Sequence, residues 1–172
     1  MRLFARMSAL LCLIAALVMG DEAVGELQPE KTLDLGFDKG SRILSAGILF
    51  GGSPVGIDFE YGLSRNLGLQ FGIGAGGADA ALNFHLTSDK DKDLYFSFAA
   101  VYLPVVDHLV LPTISFGSRW YFGSKADNGL IFEVGSAYTF REGSREVFGD
   151  EITLEKNTVY PRVAIGIVFK LD

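Results

Sequence analysis

The chain of 172 residues contains two histidines, and each has a neighbour able to complete a reactive pair. Ser88 follows His85 by three positions, and Asp107 directly precedes His108. A Ser–His hydrolase needs its base within hydrogen-bond reach of the hydroxyl and a third group to orient the ring. Neither spacing forms such a motif, so His85 is expected to be an interior histidine, His108 a loop histidine, and the protein not an enzyme. No Cys/His cluster offers a metal site. Gly72, Gly74, Gly76 and Gly77 alternate with strand-like residues and precede no helix, so they form no phosphate cradle. No cofactor and no metal are expected. The remaining chemistry-bearing residues are charges in alternating positions: Asp58, Glu60, Asp79, His85, Arg119, Glu133, Arg141, Arg162 and Lys170.

That alternation defines the elements. Along Val159–Phe169 one parity reads Val, Pro, Val, Ile, Ile, Phe, and the other reads Tyr160, Arg162, Ala164, Gly166, Val168, Lys170. Side chains of a strand alternate faces, so one face is apolar and the other small, polar or charged. The same two-faced pattern recurs in seven earlier segments. Their apolar parities start at Leu44, Val55, Leu67, Ala80, Leu94, Ile114 and Leu130. The first is the least regular, with Leu44, Ala46, Ile48 and Phe50 set against Ile43, Ser45, Gly47 and Leu49. Turn formers separate the segments at 51–54, 64–66, 76–77, 88–93 and 123–129. Eight strands of about 8–12 residues have the length needed to cross a bilayer at a tilt.

The second face decides between a water-soluble and a membrane barrel. It is mostly Gly, Ala and Ser with scattered charges, which suits a narrow interior. The continuous Leu, Ile, Val and Phe of the first face suit lipid. Phe59, Tyr61, Phe84, Phe96, Trp120, Phe122, Phe132 and Phe169 fall toward one set of strand ends. Phe50, Tyr102, Tyr138 and Phe140 fall toward the other, as two aromatic girdles would. The formal charge of −6 argues against nucleic acid as a partner. Arg2, Arg6 and the apolar run from Met7 to Val18 read as a signal peptide over residues 1–20, cut before Asp21, with Ala23-Val24-Gly25 as a second choice of site. The only cysteine, Cys12, lies inside that run. Residues 21–40 are either an N-terminal tail or an extension of the first strand, and 41–172 are the barrel.

The stretch 57–69, IDFEYGLSRNLGL, resembles the strand, tight turn and strand of small bacterial outer-membrane barrels. Ser118–Gly123 resembles the end of their sixth strand, and Tyr160–Phe169 resembles the C-terminal signal read by the barrel-assembly machinery, although Lys170, Leu171 and Asp172 follow it. Across residues 41–170 the chain is similar to the family that includes relatives of outer-membrane proteins A, X and W. The resemblance implies an all-β, eight-stranded, antiparallel up-and-down transmembrane barrel in a bacterial outer membrane. Its partners would be outer-membrane lipid, lipopolysaccharide and the assembly machinery, and residues 21–40 would be periplasmic. The external loops would be 51–54, 76–78, 103–112 and 142–157, with 103–112 able instead to extend two strands. The expected function is structural, serving envelope integrity, with a lumen plugged by ion pairs among Asp58, Glu60, Asp79, His85, Arg119, Glu133, Arg141 and Arg162. Among them Glu60, Glu133, Arg119 and Arg162 are the expected pairing set: opposite signs lie on the adjoining strands six, seven and eight, and closure of strand one on strand eight brings strand two within reach across the interior. The alternative is a narrow porin-like channel for small or hydrophobic solutes.

Overall fold

The computed structural model describes residues 37–88, 91–123, 125–147 and 150–171. The expected signal peptide and residues 21–36 lie outside the described residues. Ten strands follow in order: β1 (Arg42–Ile48), β2 (Val55–Ser64), β3 (Leu67–Gly74), β4 (Gly77–Ser88), β5 (Lys92–Leu103), β6 (Leu109–Phe122), β7 (Asn128–Tyr138), β8 (Gly143–Val147), β9 (Asp150–Leu154) and β10 (Val159–Leu171). Eight of them, β1–β7 and β10, pair antiparallel with their neighbours in chain order. The ladder from Arg42↔Leu171 to Ile48↔Ile165 joins β1 to β10 and closes the barrel. Closure gives every strand of this ring a partner on both sides, and β10 runs beyond β1 at Val159–Ala164, where it pairs with β7 alone. The end where β1 starts and β10 stops is the near end; the opposite one is the far end.

The period-2 pattern maps onto inside and outside. Residues of the apolar parity are exposed, Ile73 at 64 % and Ile165 at 54 %, whereas charged residues of the other parity are buried, Arg119 at 1 %. The register slips at Leu63 in β2 and at Leu86 in β4, two bulges near the same end of the barrel.

Two expectations are corrected, and the two readings of 103–112 are resolved. Residues 142–157 are not simply a loop: β8 and β9 form a separate two-stranded hairpin beyond the far end. The 103–112 segment takes its strand-extending form, leaving only 104–108 to connect β5 and β6. There Val101, Leu109 and Leu111 form an apolar cluster, with Val106 and Leu154 of the hairpin packed against it. The second correction concerns Phe50, read from its parity as outward and in fact wholly buried. β1 ends at Ile48, and Leu49 turns to φ +62°, which reverses the parity and sends the next ring inward. Of residues 21–40, only 37–40 are described, and they form a turn rather than a longer β1, with Phe37 buried.

Residues 50–53 therefore fold into the lumen rather than over it, with Leu49 and Pro54 exposed on either side. Phe50, Gly51, Gly52 and Ser53 are all buried. The wall of β1–β4 is shaped to receive them. A Cβ on Gly47 would meet the Phe50 ring, one on Gly72 the Cα of Gly51, one on Gly74 the Ser53 side chain, and one on Gly77 the Gly52 carbonyl. Gly51 itself has φ +59° and no room for a side chain against the Ile73 backbone. Gly123, with φ +86° but open space around it, is a control. Gly51→Val is expected to destabilise the barrel by about 3 kcal/mol or more, and Gly123→Ala by about 1–2 kcal/mol from backbone strain alone. Urea unfolding followed by the fluorescence of Trp120 measures both.

Candidate functional site

The lumen gathers the buried charges into three linked groups. The first lies toward the near end. Asp93 and Arg119 are cross-strand partners on β5 and β6. Arg119 donates through Nη1 to Asp93 Oδ2 at 3.0 Å and through Nη2 to Glu60 Oε2. His85 lies between the same two carboxylates, with Nδ1 2.8 Å from Asp93 Oδ1 and Nε2 2.9 Å from Glu60 Oε1. The four side chains make a closed ring, and every one is at least nine-tenths buried. Carboxylates only accept, so both contacts of His85 are hydrogen bonds when the imidazole carries two protons; the ring then holds two cations and two anions. Phe37 caps it, stacked on His85 with 3.6 Å between ring centroids. Glycine makes the geometry possible, since a Cβ on Gly68 of β3 would strike the Glu60 carboxylate.

Tyr95 links this ring to the second group. The Arg119 guanidinium carbon sits 4.3 Å from the centre of the Tyr95 ring. The ring lies over Gly117, whose Cβ would collide with it, and the hydroxyl donates to Glu133 Oε1 at 2.6 Å. Glu133 also accepts from Ser115 and pairs with Arg162 at 3.3 Å. Arg162 in turn donates to the Leu49 carbonyl at 3.1 Å and so fastens the inserted loop.

The third group holds that loop from the other side. Asp58 Oδ1 accepts from the Gly51 amide at 2.7 Å, and Oδ2 from Gln70 Nε2 at 2.9 Å. Gln70 Oε1 accepts from Asn83 at 2.8 Å. Asp79 lies across Gly72 from Asp58, close enough that one Cβ on Gly72 would meet both carboxylates. Neither of these two carboxylates makes an ion pair among the described residues.

Six of the eight expected residues are thus buried in the lumen: Asp58, Glu60, Asp79, His85, Arg119 and Glu133. Arg162 reaches in, with its side chain 13 % exposed. Arg141 does not belong with them. β7 stops at Tyr138, and the exposed Arg141 instead donates to the carbonyls of Asp107 and His108 in the far-end connection. Of the expected set, Arg119 meets Glu60 across the lumen and Glu133 meets Arg162 on the adjoining strand, whereas Arg119 and Glu133 do not pair; Arg119 also meets Asp93. Lys170 places its ammonium 3.9 Å from the centre of the Tyr121 ring. Sequence reasoning left out Asp93, Tyr95, Gln70 and Asn83. The last three carried the inward parity and lacked only a charge. Asp93 was assigned to a turn, although it stands one inward step before Tyr95. Both ring nitrogens of His85 face carboxylates, and His108 Nδ1 is 2.7 Å from the Tyr102 hydroxyl.

No family model matches the chain, and neither a curated protein nor a solved structure does.

Removing Arg119 leaves two carboxylates buried beside one histidine. Arg119→Ala is expected to cost about 3–5 kcal/mol, with a coupling to Glu60→Ala of about 1–3 kcal/mol in a double-mutant cycle. The cycle of Arg119 with Glu133, which touch only through Tyr95, should show a smaller coupling. Urea unfolding of the single and double variants measures both cycles.

Proposed function

We propose that this protein is a transmembrane barrel of a bacterial outer membrane, a relative of the small outer-membrane barrel family, with a structural role in envelope integrity and a sealed lumen. One observation carries the reading: the usual segregation of a globular protein is reversed. Charged side chains are buried in ion pairs at the centre, while Ile57, Phe71, Ile73, Phe132, Val134, Val163, Ile165 and Ile167 stand exposed around the outside. A monomeric soluble protein rarely exposes so large a contiguous apolar surface. Moving one such side chain from water into an apolar phase is worth about 1.5–3 kcal/mol, so a belt of them favours a bilayer over water. The closed ladder fits the same solvent, because lipid tolerates no unpaired strand edge.

The sealed lumen rests on the material inside it. Residues 50–53 fill the part beside β1–β4, the four-residue ring crosses the near end, and Phe37 and Ala126 are buried there. On this reading the charges are architectural: they match large inward side chains to one another and pin the inserted loop. The partners are membrane lipid, lipopolysaccharide and, during insertion, the barrel-assembly machinery.

The full chain, expressed in a Gram-negative host, is expected to fractionate with outer membranes and to migrate differently when heated and unheated on detergent gels. Recovery as a soluble monomer without detergent overturns the reading. Ile165→Arg should cost about 2–4 kcal/mol in lipid vesicles if its level is near the bilayer midplane, whereas Ile165→Leu should be tolerated. In planar bilayers the wild type should pass no large, steady ionic current; such a current would replace the sealed barrel with the narrow-channel alternative.

A further inference from the structure

Five exposed basic residues collect at the near end. Lys39 lies in the turn before β1, Arg42 opens β1, Arg65 sits in the β2–β3 turn, Lys92 opens β5, and Lys125 lies in the β6–β7 connection. Among the described residues none of the five makes an ion pair. Asp38, Asp91 and Asp127 share this end without coming within ion-pair distance of them. The far end differs. Its Arg141 is engaged by two backbone carbonyls, and Lys156 is exposed in the turn after β9.

Two of the five are built into the margin of the apolar belt. Arg42 is the cross-strand partner of Tyr61 on β2 and of Leu171 on β10. Lys92 is the partner of Trp120 on β6. Directly opposed residues of antiparallel strands present their side chains on the same face. Tyr61, Leu171 and Trp120 are all exposed, so each cation stands beside an outward apolar group. A long basic side chain with its stem along apolar surface and its head at the margin is the arrangement for a boundary between hydrocarbon and water. Tyrosine and tryptophan favour the same level.

We propose that this rim binds the phosphate headgroups of anionic phospholipids, with Lys92 beside Trp120 and Arg42 beside Tyr61 as its principal contacts. The inference rests on the membrane reading above and adds a lipid preference to it. Cations fixed at headgroup level attract anionic lipid, and the attraction fades within a Debye length and with added salt. Because Lys39, Arg65 and Lys125 stand in turns at the same rim, lipids all around the near end meet positive charge. The preference would also bias the barrel to seat this end in the leaflet richer in anionic phospholipid.

Trp120 is the only tryptophan in the chain and adjoins Lys92, so it reports on the lipids at that point. The full-length protein is refolded into phosphatidylcholine vesicles containing, at equal mole fraction, either brominated phosphatidylglycerol or brominated phosphatidylcholine. Quenching of Trp120 by the anionic lipid should exceed that by the zwitterionic lipid by about two-fold or more at low salt. The excess should fall in high salt and drop by about half or more in the Lys92→Gln, Arg42→Gln double variant, in which three rim cations remain. Both substitutions are at exposed positions, and a retained gel shift on heating verifies that the variant folds. Equal quenching by the two lipids in the wild type overturns the rim proposal and leaves the membrane reading standing. So does an excess that is undiminished in the double variant. No quenching by either lipid overturns both.

Discussion

Closing eight strands on themselves places about half of the side chains inside a tube too narrow to hold water around each of them. Arg119 meets that constraint in its sharpest form. A buried guanidinium without partners costs several kcal/mol, and this one is matched by Glu60 and Asp93, which are matched in turn by His85. The space for the match comes from residues that have no side chain. Glu60 leans across Gly68, Tyr95 across Gly117, and the inserted loop across Gly47, Gly72, Gly74 and Gly77. Large inward groups and glycine vacancies are therefore complementary halves of one packing solution, and the glycine-rich parity of the strands is as necessary to the ion pairs as the charges are.

That logic also explains which features the sequence makes legible. A period of two reports which face a residue takes, so the eight barrel strands and six of the eight expected lumen residues can be read directly. It does not report where a ladder stops. Arg141 continues the parity of Arg119 and Glu133 past Tyr138, where β7 has already ended, and so it reaches loop carbonyls instead. Nor does it report a change of hand in the backbone. Phe50 follows the outward series Leu44, Ala46, Ile48, and the single positive φ at Leu49 turns it inward.

Partners across the lumen were the least legible part. Adjoining strands allowed Arg119 with Glu133 and closure allowed it Glu60, a choice parity alone does not make; Arg119 pairs across the barrel with β2 and along the ladder with β5. Such pairings depend on strand stagger and on how far each side chain leans, which alternation does not encode. Asp93 was hidden for a related reason. Its surroundings, Ser88 to Asp93, have the composition of a turn, but β5 begins at Lys92 and gives Asp93 a place in the ladder opposite Arg119.

The proposed function depends on the outer surface being solvated by lipid while the lumen stays filled by the protein's own groups. Nitroxide labels placed singly at Ile73, Val134 and Ile165, and at Ser97 in the lumen, test this most directly, with Cys12→Ser as the background in lipid vesicles. Collision with oxygen, which partitions into lipid, should clearly exceed collision with a water-soluble nickel chelate at the three outward positions, and Ser97 should be shielded from both. A chelate that reaches Ile73, Val134 and Ile165 as readily as oxygen does would contradict the account, because the apolar belt would then face water.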